Sequence, residues 1–182
     1  MFHANTERMI DYWTSRAADG RAPSRGDIQP ADFRQLIPQV FVLGCGTPGH
    51  FPFRLAGGFV SDLHGRDLRA ENVLALWTDA GRSRLSQALE EARDAIHPVV
   101  ATAEVITCEG PSLAVEVMFA PLIAHDAGPD RLFGLYQPLS LVARLRGQPA
   151  KALSLVSLRR AGADNDRSAH VRLAALDGLQ VA

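Results

Sequence analysis

The apolar period changes twice along this chain, and that order restricts the folds open to it. Val40, Phe41, Val42 and Leu43 make a short apolar run, and Phe51, Phe53 and Leu55 then alternate. Between them lies the turn cluster Gly44-Cys45-Gly46-Thr47-Pro48-Gly49, so the two stretches read as strands of a hairpin. Short helical turns follow over Phe59 to His64 and Leu68 to Trp77. From Asp79 to Ile96 the spacing becomes helical, with Leu85, Ala88, Leu89, Ala92 and Ile96 on one face and Pro98 as the stop. Alternation then returns in three strands, Val99 to Thr107, Leu113 to Ile123 and Arg131 to Gln137. Turns at Glu109-Gly110-Pro111 and from His125 to Asp130 suit antiparallel neighbours. Two strands, a helical block and three strands describe an α+β domain with an antiparallel sheet.

Two further segments flank this core. Met9, Ile10, Trp13 and Ala17 recur at helical spacing over Asn5 to Ala17, with Asn5 or Thr6 as the cap. Helical turns are expected again over Gln29 to Leu36. The division is therefore an N-terminal helical cap (1–37), a core (38–140) and a C-terminal extension (141–182). Within the extension Ala152 to Leu158 reads as a further strand, Gly162 to Ser168 as a loop, and His170 to Leu179 as a weak helix. Met9, Ile10, Tyr12 and Trp13 give the first helix more apolar surface than its own short contacts need. It is expected to cap the sheet or to form a homodimer interface.

Composition removes several function classes. The 182 residues are 47% hydrophobic and 21% charged with a formal net charge of -1, which excludes the disordered class. No run of about 18 apolar residues exists, so no membrane-spanning helix is expected. The polar start Met1 to Arg8 is unlike a signal peptide, and a cytoplasmic protein is expected. Basic and acidic counts of 19 and 20 give no nucleic-acid surface. Cys45 and Cys108 are the only cysteines, too few for a disulfide scaffold. Lys151 is the only lysine, a bias that a GC-rich genome explains.

The candidate motifs mostly dissolve on inspection. Gly44-x-Gly46-x-x-Gly49 follows a strand, but a dinucleotide site needs a helix at once, and Pro48, Pro52 and the alternating phenylalanines deny it. The six histidines show no metal-ligand spacing, and His64 alone falls in a structured segment worth testing. Neither cysteine has a context that lowers its pKa. Glu104 and Glu116 lie on neighbouring strands and are expected on the solvated outer face of the sheet. No catalytic, metal or cofactor residue is therefore assigned.

Several segments together carry a resemblance. They are Phe53-Arg54-Leu55-Ala56-Gly57, Leu63-His64-Gly65-Arg66-Asp67-Leu68, Trp77 with Asp79 and Arg82, and Gly134-Leu135-Tyr136-Gln137-Pro138, joined by Thr6-Glu7-Arg8 and Asp11-Tyr12-Trp13. Over about residues 5–158 the chain resembles a PAS domain, which implies an α+β PAS fold with a five-stranded antiparallel sheet and helices on one face. Within that superfamily it is similar to the alpha-proteobacterial single-domain proteins of polar cell-cycle control. The resemblance implies a non-enzymatic signalling protein that dimerises and docks onto partners such as histidine kinases, in the cytoplasm and at a cell pole. Flavin-binding relatives carry a cysteine in the helical block and haem-binding ones a histidine on the long helix; neither is present, so neither cofactor is expected.

Two alternatives stand beside that reading. One is a small-molecule sensor with a pocket lined by Phe53, Arg54, Leu55, Phe59, Leu63, His64, Leu76, Trp77, Leu89, Val115, Phe119 and Tyr136, where an inward Arg54 or His64 would favour an anion. The other is a small isomerase or hydratase, which would need paired carboxylates or a His–Asp site inside the sheet.

Overall fold

A computed structural model describes residues 1–124 and 130–161. One antiparallel sheet organises them. Its strands are β1 (Val40–Gly44), β2 (Phe53–Ala56), β3 (Val99–Thr107), β4 (Gly110–Leu122), β5 (Arg131–Pro138) and β6 (Ala152–Arg160). Their order across the sheet is β2-β1-β5-β4-β3-β6. The hairpin, the helical block and the three following strands stand as the apolar period requires. The sheet has a sixth strand because the segment read as a further strand pairs with β3 along its whole length.

Alternation on these strands divides the sheet into two faces, and each has its own cover. Helices α2 (Gly58–His64) and α3 (Asp79–Asp94), with a 3-10 turn at Val73–Leu76, close the inner face. They bury Val60, Leu63, Leu85, Leu89 and Ala92 against Phe41, Leu43, Ala101, Val115, Val117, Phe119 and Tyr136. Gly65 takes a left-handed φ of 64° that ends α2, where glycine has no Cβ penalty. Arg82 donates to the Leu74 and Trp77 carbonyls at 3.0 Å each and pairs with Asp79 at 2.9 Å, pinning the start of α3.

The outer face is covered by α1 (Ala4–Arg16) and the 3-10 segment Pro30–Gln39. Met9, Trp13, Phe33 and Leu36 pack there on Val40, Val100, Met118, Phe133 and Leu135. The indole N–H of Trp13 donates to the Pro121 carbonyl at 2.7 Å, so its one polar atom is satisfied in the buried layer. Of the two roles expected for α1, the structure gives it the sheet cap. Met9 and Trp13 are 0% and 4% exposed and present nothing to a second copy. Ile10 and Tyr12 are half-buried, and the Tyr12 hydroxyl accepts from Gln29 N at 2.8 Å.

Three local expectations change. The first helix begins at Ala4 and is capped by the His3 ring, which accepts from Asn5 N, because the Asn5 side chain reaches across to Gln137 and Thr6 is buried. Helix α3 stops at Asp94, not Ile96; Ile96 takes a φ of 51° and turns its side chain toward the α1 layer. Glu116 is 4% exposed rather than solvated, because the first residues of the chain lie over it. Its carboxylate accepts from His3 N at 3.0 Å and faces the Arg159 guanidinium at 4.0 Å. Glu104 is exposed as expected. The loop and weak helix read beyond Gly162, and the turn from His125, lie outside the described residues.

At the centre of β5, Gly134 sits directly against the Phe41 ring, and a Cβ there would overlap both that ring and the Met118 carbonyl. Gly134→Ala is expected to lower the unfolding free energy by about 1–3 kcal/mol, through overpacking. Urea denaturation of the two proteins measures this, and an unchanged midpoint would show that the ring can move aside.

Candidate functional site

The inner layer is the natural place for a site, because the helices stand off the sheet there. Its middle is filled by interlocked aromatic rings. Phe41 makes edge-to-face contacts with Phe53, Phe119 and Tyr136 at centroid distances of 5.8, 5.5 and 5.4 Å. At the C-terminal end of α2, His64 meets Tyr136 edge-on at 6.0 Å. Both side chains are buried, yet among the described residues His64 Nε2 and the Tyr136 hydroxyl have no hydrogen-bond partner. Unpartnered polar atoms in a buried place are costly, so each is a point where a further donor or acceptor would be stabilising.

Burial also sets the protonation of this pair. It pulls the His64 pKa down to about 4; the nearby Arg66 cation adds to that and Glu71 opposes it. Arg66 is itself held by Glu71 through two contacts of 3.0 Å. Burial raises the Tyr136 phenol well above its usual range. The pair is thus a neutral imidazole beside a neutral phenol, able to donate and accept but not to bind by charge.

The residues assigned to a pocket separate into two sets. Phe53, Leu63, His64, Leu76, Trp77, Leu89, Val115, Phe119 and Tyr136 are brought together in or on the inner core, with Phe59 half-buried against it. Trp77 Nε1 is a further buried atom without a hydrogen-bond partner among the described residues. Arg54 and Leu55 do not join them. The register between β1 and β2 slips at Val42/Leu43, so Phe53 faces inward opposite Leu43 while Leu55 pairs with Val42 on the outer face. One extra residue inverts the side of every residue after it. Leu55 is accordingly 52% exposed, and Arg54 lies at the surface across Gly44.

On that outer face a groove of about 500 Å³ opens where the α1 layer ends. Val42, Leu55, Leu122 and Ala124 line it together with Arg25, Arg54 and Arg131. Arg25 and Arg131 went unnoticed in the sequence, because nothing local ties them to Arg54. Elsewhere the glycine cluster after β1 is a hairpin turn, with no helix behind it. Burial pushes the Cys45 thiol up to about 11, which makes it a poor nucleophile, and Cys108 is exposed in the β3–β4 turn. Among the described residues no group of His, Cys, Asp and Glu could hold a metal ion.

A family model described as PAS domain matches residues 1–137. The chain belongs to the PAS domain family. A search of curated proteins finds no match. Among solved structures, the Rhodobacter sphaeroides LOV protein is similar with a TM-score of 0.47 and 12% identity, over 65% of this chain and 72% of that one. That likeness is too distant to bear on function. Membership of the PAS family points to sensing and signalling, a role typically without catalysis. PAS domains commonly dimerise and contact signalling proteins. No helix among the described residues is long and apolar enough to cross a membrane.

The His64 environment makes a signed prediction. Its pKa is 6.5 in the unfolded chain and about 4 when folded, so between those values the unfolded state binds more protons. Stability from this group is complete above pH 6.5 and is lost as pH falls toward 4. The stability-versus-pH curve of the wild type should therefore drop more steeply over that window than that of His64→Leu, by on the order of 2–3 kcal/mol in total. Parallel curves from chemical denaturation across the window would show that His64 is solvated.

Proposed function

We propose that this PAS protein is a non-catalytic regulator that acts by contacts with other proteins. The observation that carries the reading is the interior itself: Phe41, Phe53, Phe119 and Tyr136 occupy the space between sheet and helices with their own rings. Such a close-packed interior transmits packing changes between sheet and helices, as a protein-contact regulator requires. Neither strand carboxylate enters it, since Glu104 is exposed and Glu116 lies on the opposite face, which argues against an isomerase or hydratase site. Neither flavin nor haem belongs to the proposal: both cysteines lie in loops, and α3 contains no histidine. The partner class favoured by the sequence resemblance is a cytoplasmic histidine-kinase pathway, in cell-cycle or polarity control, with the PAS protein itself as a homodimer.

One observation favours a second reading, that of a small-molecule sensor. His64 Nε2 and the Tyr136 hydroxyl are buried without partners at the edge of the aromatic cluster. A small uncharged ligand with one donor and one acceptor would satisfy both.

Native mass spectrometry of the purified protein, with a denatured control, separates the two. The regulator reading expects species made of protein alone, with the dimer present. A stoichiometric extra mass released on unfolding would overturn it in favour of the sensor.

A further inference from the structure

The outer groove has a chemistry that the inner core lacks. Its floor is the part of the sheet that α1 leaves uncovered, made of Val42, Leu55 and Leu122. Its rim holds three guanidinium groups from three distant parts of the chain. Arg25 stands on the segment whose backbone N–H donates to the Ile123 carbonyl at 2.8 Å, so that wall is fastened to the end of β4. Arg54 comes from the bulged strand β2 and folds over Gly44, where a Cβ would stand 2.9 Å from its Nε. Arg131 begins β5 and is partly offset by Asp130, with Nη1 to Oδ2 at 3.4 Å. Among the described residues Arg25 and Arg54 have no carboxylate partner. Several arginines elsewhere on this surface are paired: Arg16 with Asp32, Arg66 with Glu71, Arg93 with Glu90 and Arg160 with Glu91. Among the described residues two guanidinium groups without a carboxylate partner and one half-paired group therefore converge on an apolar strip of which Leu55 is exposed and Val42 half-buried.

We infer that this groove docks an acidic, apolar-interleaved peptide segment of a partner protein. Carboxylates of the segment pair with Arg25 and Arg54, whose planar forks suit bidentate contacts, and its apolar side chains cover Leu55 and Val42. Charge complementarity selects the occupant: a basic or neutral segment would leave the guanidinium groups unpaired over a desolvated floor. A volume of about 500 Å³ accommodates a few side chains, so the segment is short. The inference rests on the protein-contact reading of the function and names the surface that serves it.

The test uses the full chain and a short fluorescein-labelled peptide of alternating glutamate and leucine, followed by fluorescence anisotropy. Binding is expected, weakening with added salt. Arg25→Glu and Arg54→Glu should each weaken it by about tenfold or more, since each removes a charge-assisted pair and adds a repulsion. Leu55→Gln should weaken it as well. Arg84→Glu, an exposed change on α3, should leave it unaltered. A matching glutamine–leucine peptide should bind much less tightly. The inference is overturned if the glutamate peptide fails to bind, if the glutamine peptide binds equally well, or if Arg84→Glu is as harmful as Arg54→Glu. It is also overturned if laurate binds in an Arg54-dependent way while the peptide does not, which would make the groove a site for small carboxylates. Such failures leave the protein-contact reading standing as long as the native mass shows no bound molecule; a bound molecule overturns that reading separately.

Discussion

Phe41 can occupy the centre of this domain only because Gly134 places no side chain beside it. The two residues face each other across β1 and β5. With the space over Gly134 free, the Phe41 ring reaches Phe53, Phe119 and Tyr136 at once. Those contacts draw β2, β4 and β5 into one packed layer under α2 and α3. The position of Tyr136 in turn sets the edge-on contact with His64 and the burial that keeps the imidazole neutral. A single missing Cβ thus governs how full the interior is and where its unpaired polar atoms lie.

The second constraint is that the sheet is apolar on both faces. An exposed row of Val40, Met118, Phe133 and Leu135 would be an adhesive surface, and the chain covers it with its own first helix. The cover is anchored by polar contacts as well as packing: Trp13 to Pro121, Asn5 to Gln137, and the chain start over Glu116. It is not complete. Beyond the reach of α1 the sheet remains open at Val42 and Leu55, and that is where Arg25, Arg54 and Arg131 gather. The same cap that protects the sheet defines the boundary of the proposed docking groove.

Much of the architecture was legible from residue order. The changes of apolar period located the hairpin, α3 and the three long strands, because period reports directly which side of an element is buried. Inward positions such as Val115, Phe119 and Tyr136 followed from simple alternation. Alternation failed at the bulge in the β1–β2 pair, where it placed Leu55 in the interior beside Phe53. No residue type in Phe53-Arg54-Leu55 announces the extra residue, since a bulge is a relation between two strands. Glu116 was misjudged for a similar reason: the alternation put it on the outer face, and the solvent there was displaced by residues from the far N-terminal end.

The sequence by itself determined the order of elements, the apolar inner face of the sheet and the PAS family to which the chain belongs. These depend on local period and on turn chemistry, which neighbours in the chain specify. Only the tertiary structure decided that α1 serves as a cap, that β6 widens the sheet, and that His64 and Tyr136 meet without partners. It alone brought three arginines together on an apolar strip. Such outcomes require the strands to pair in a given register and the N-terminal segment to return across the sheet, and those long-range contacts leave no periodic mark on the residues that make them.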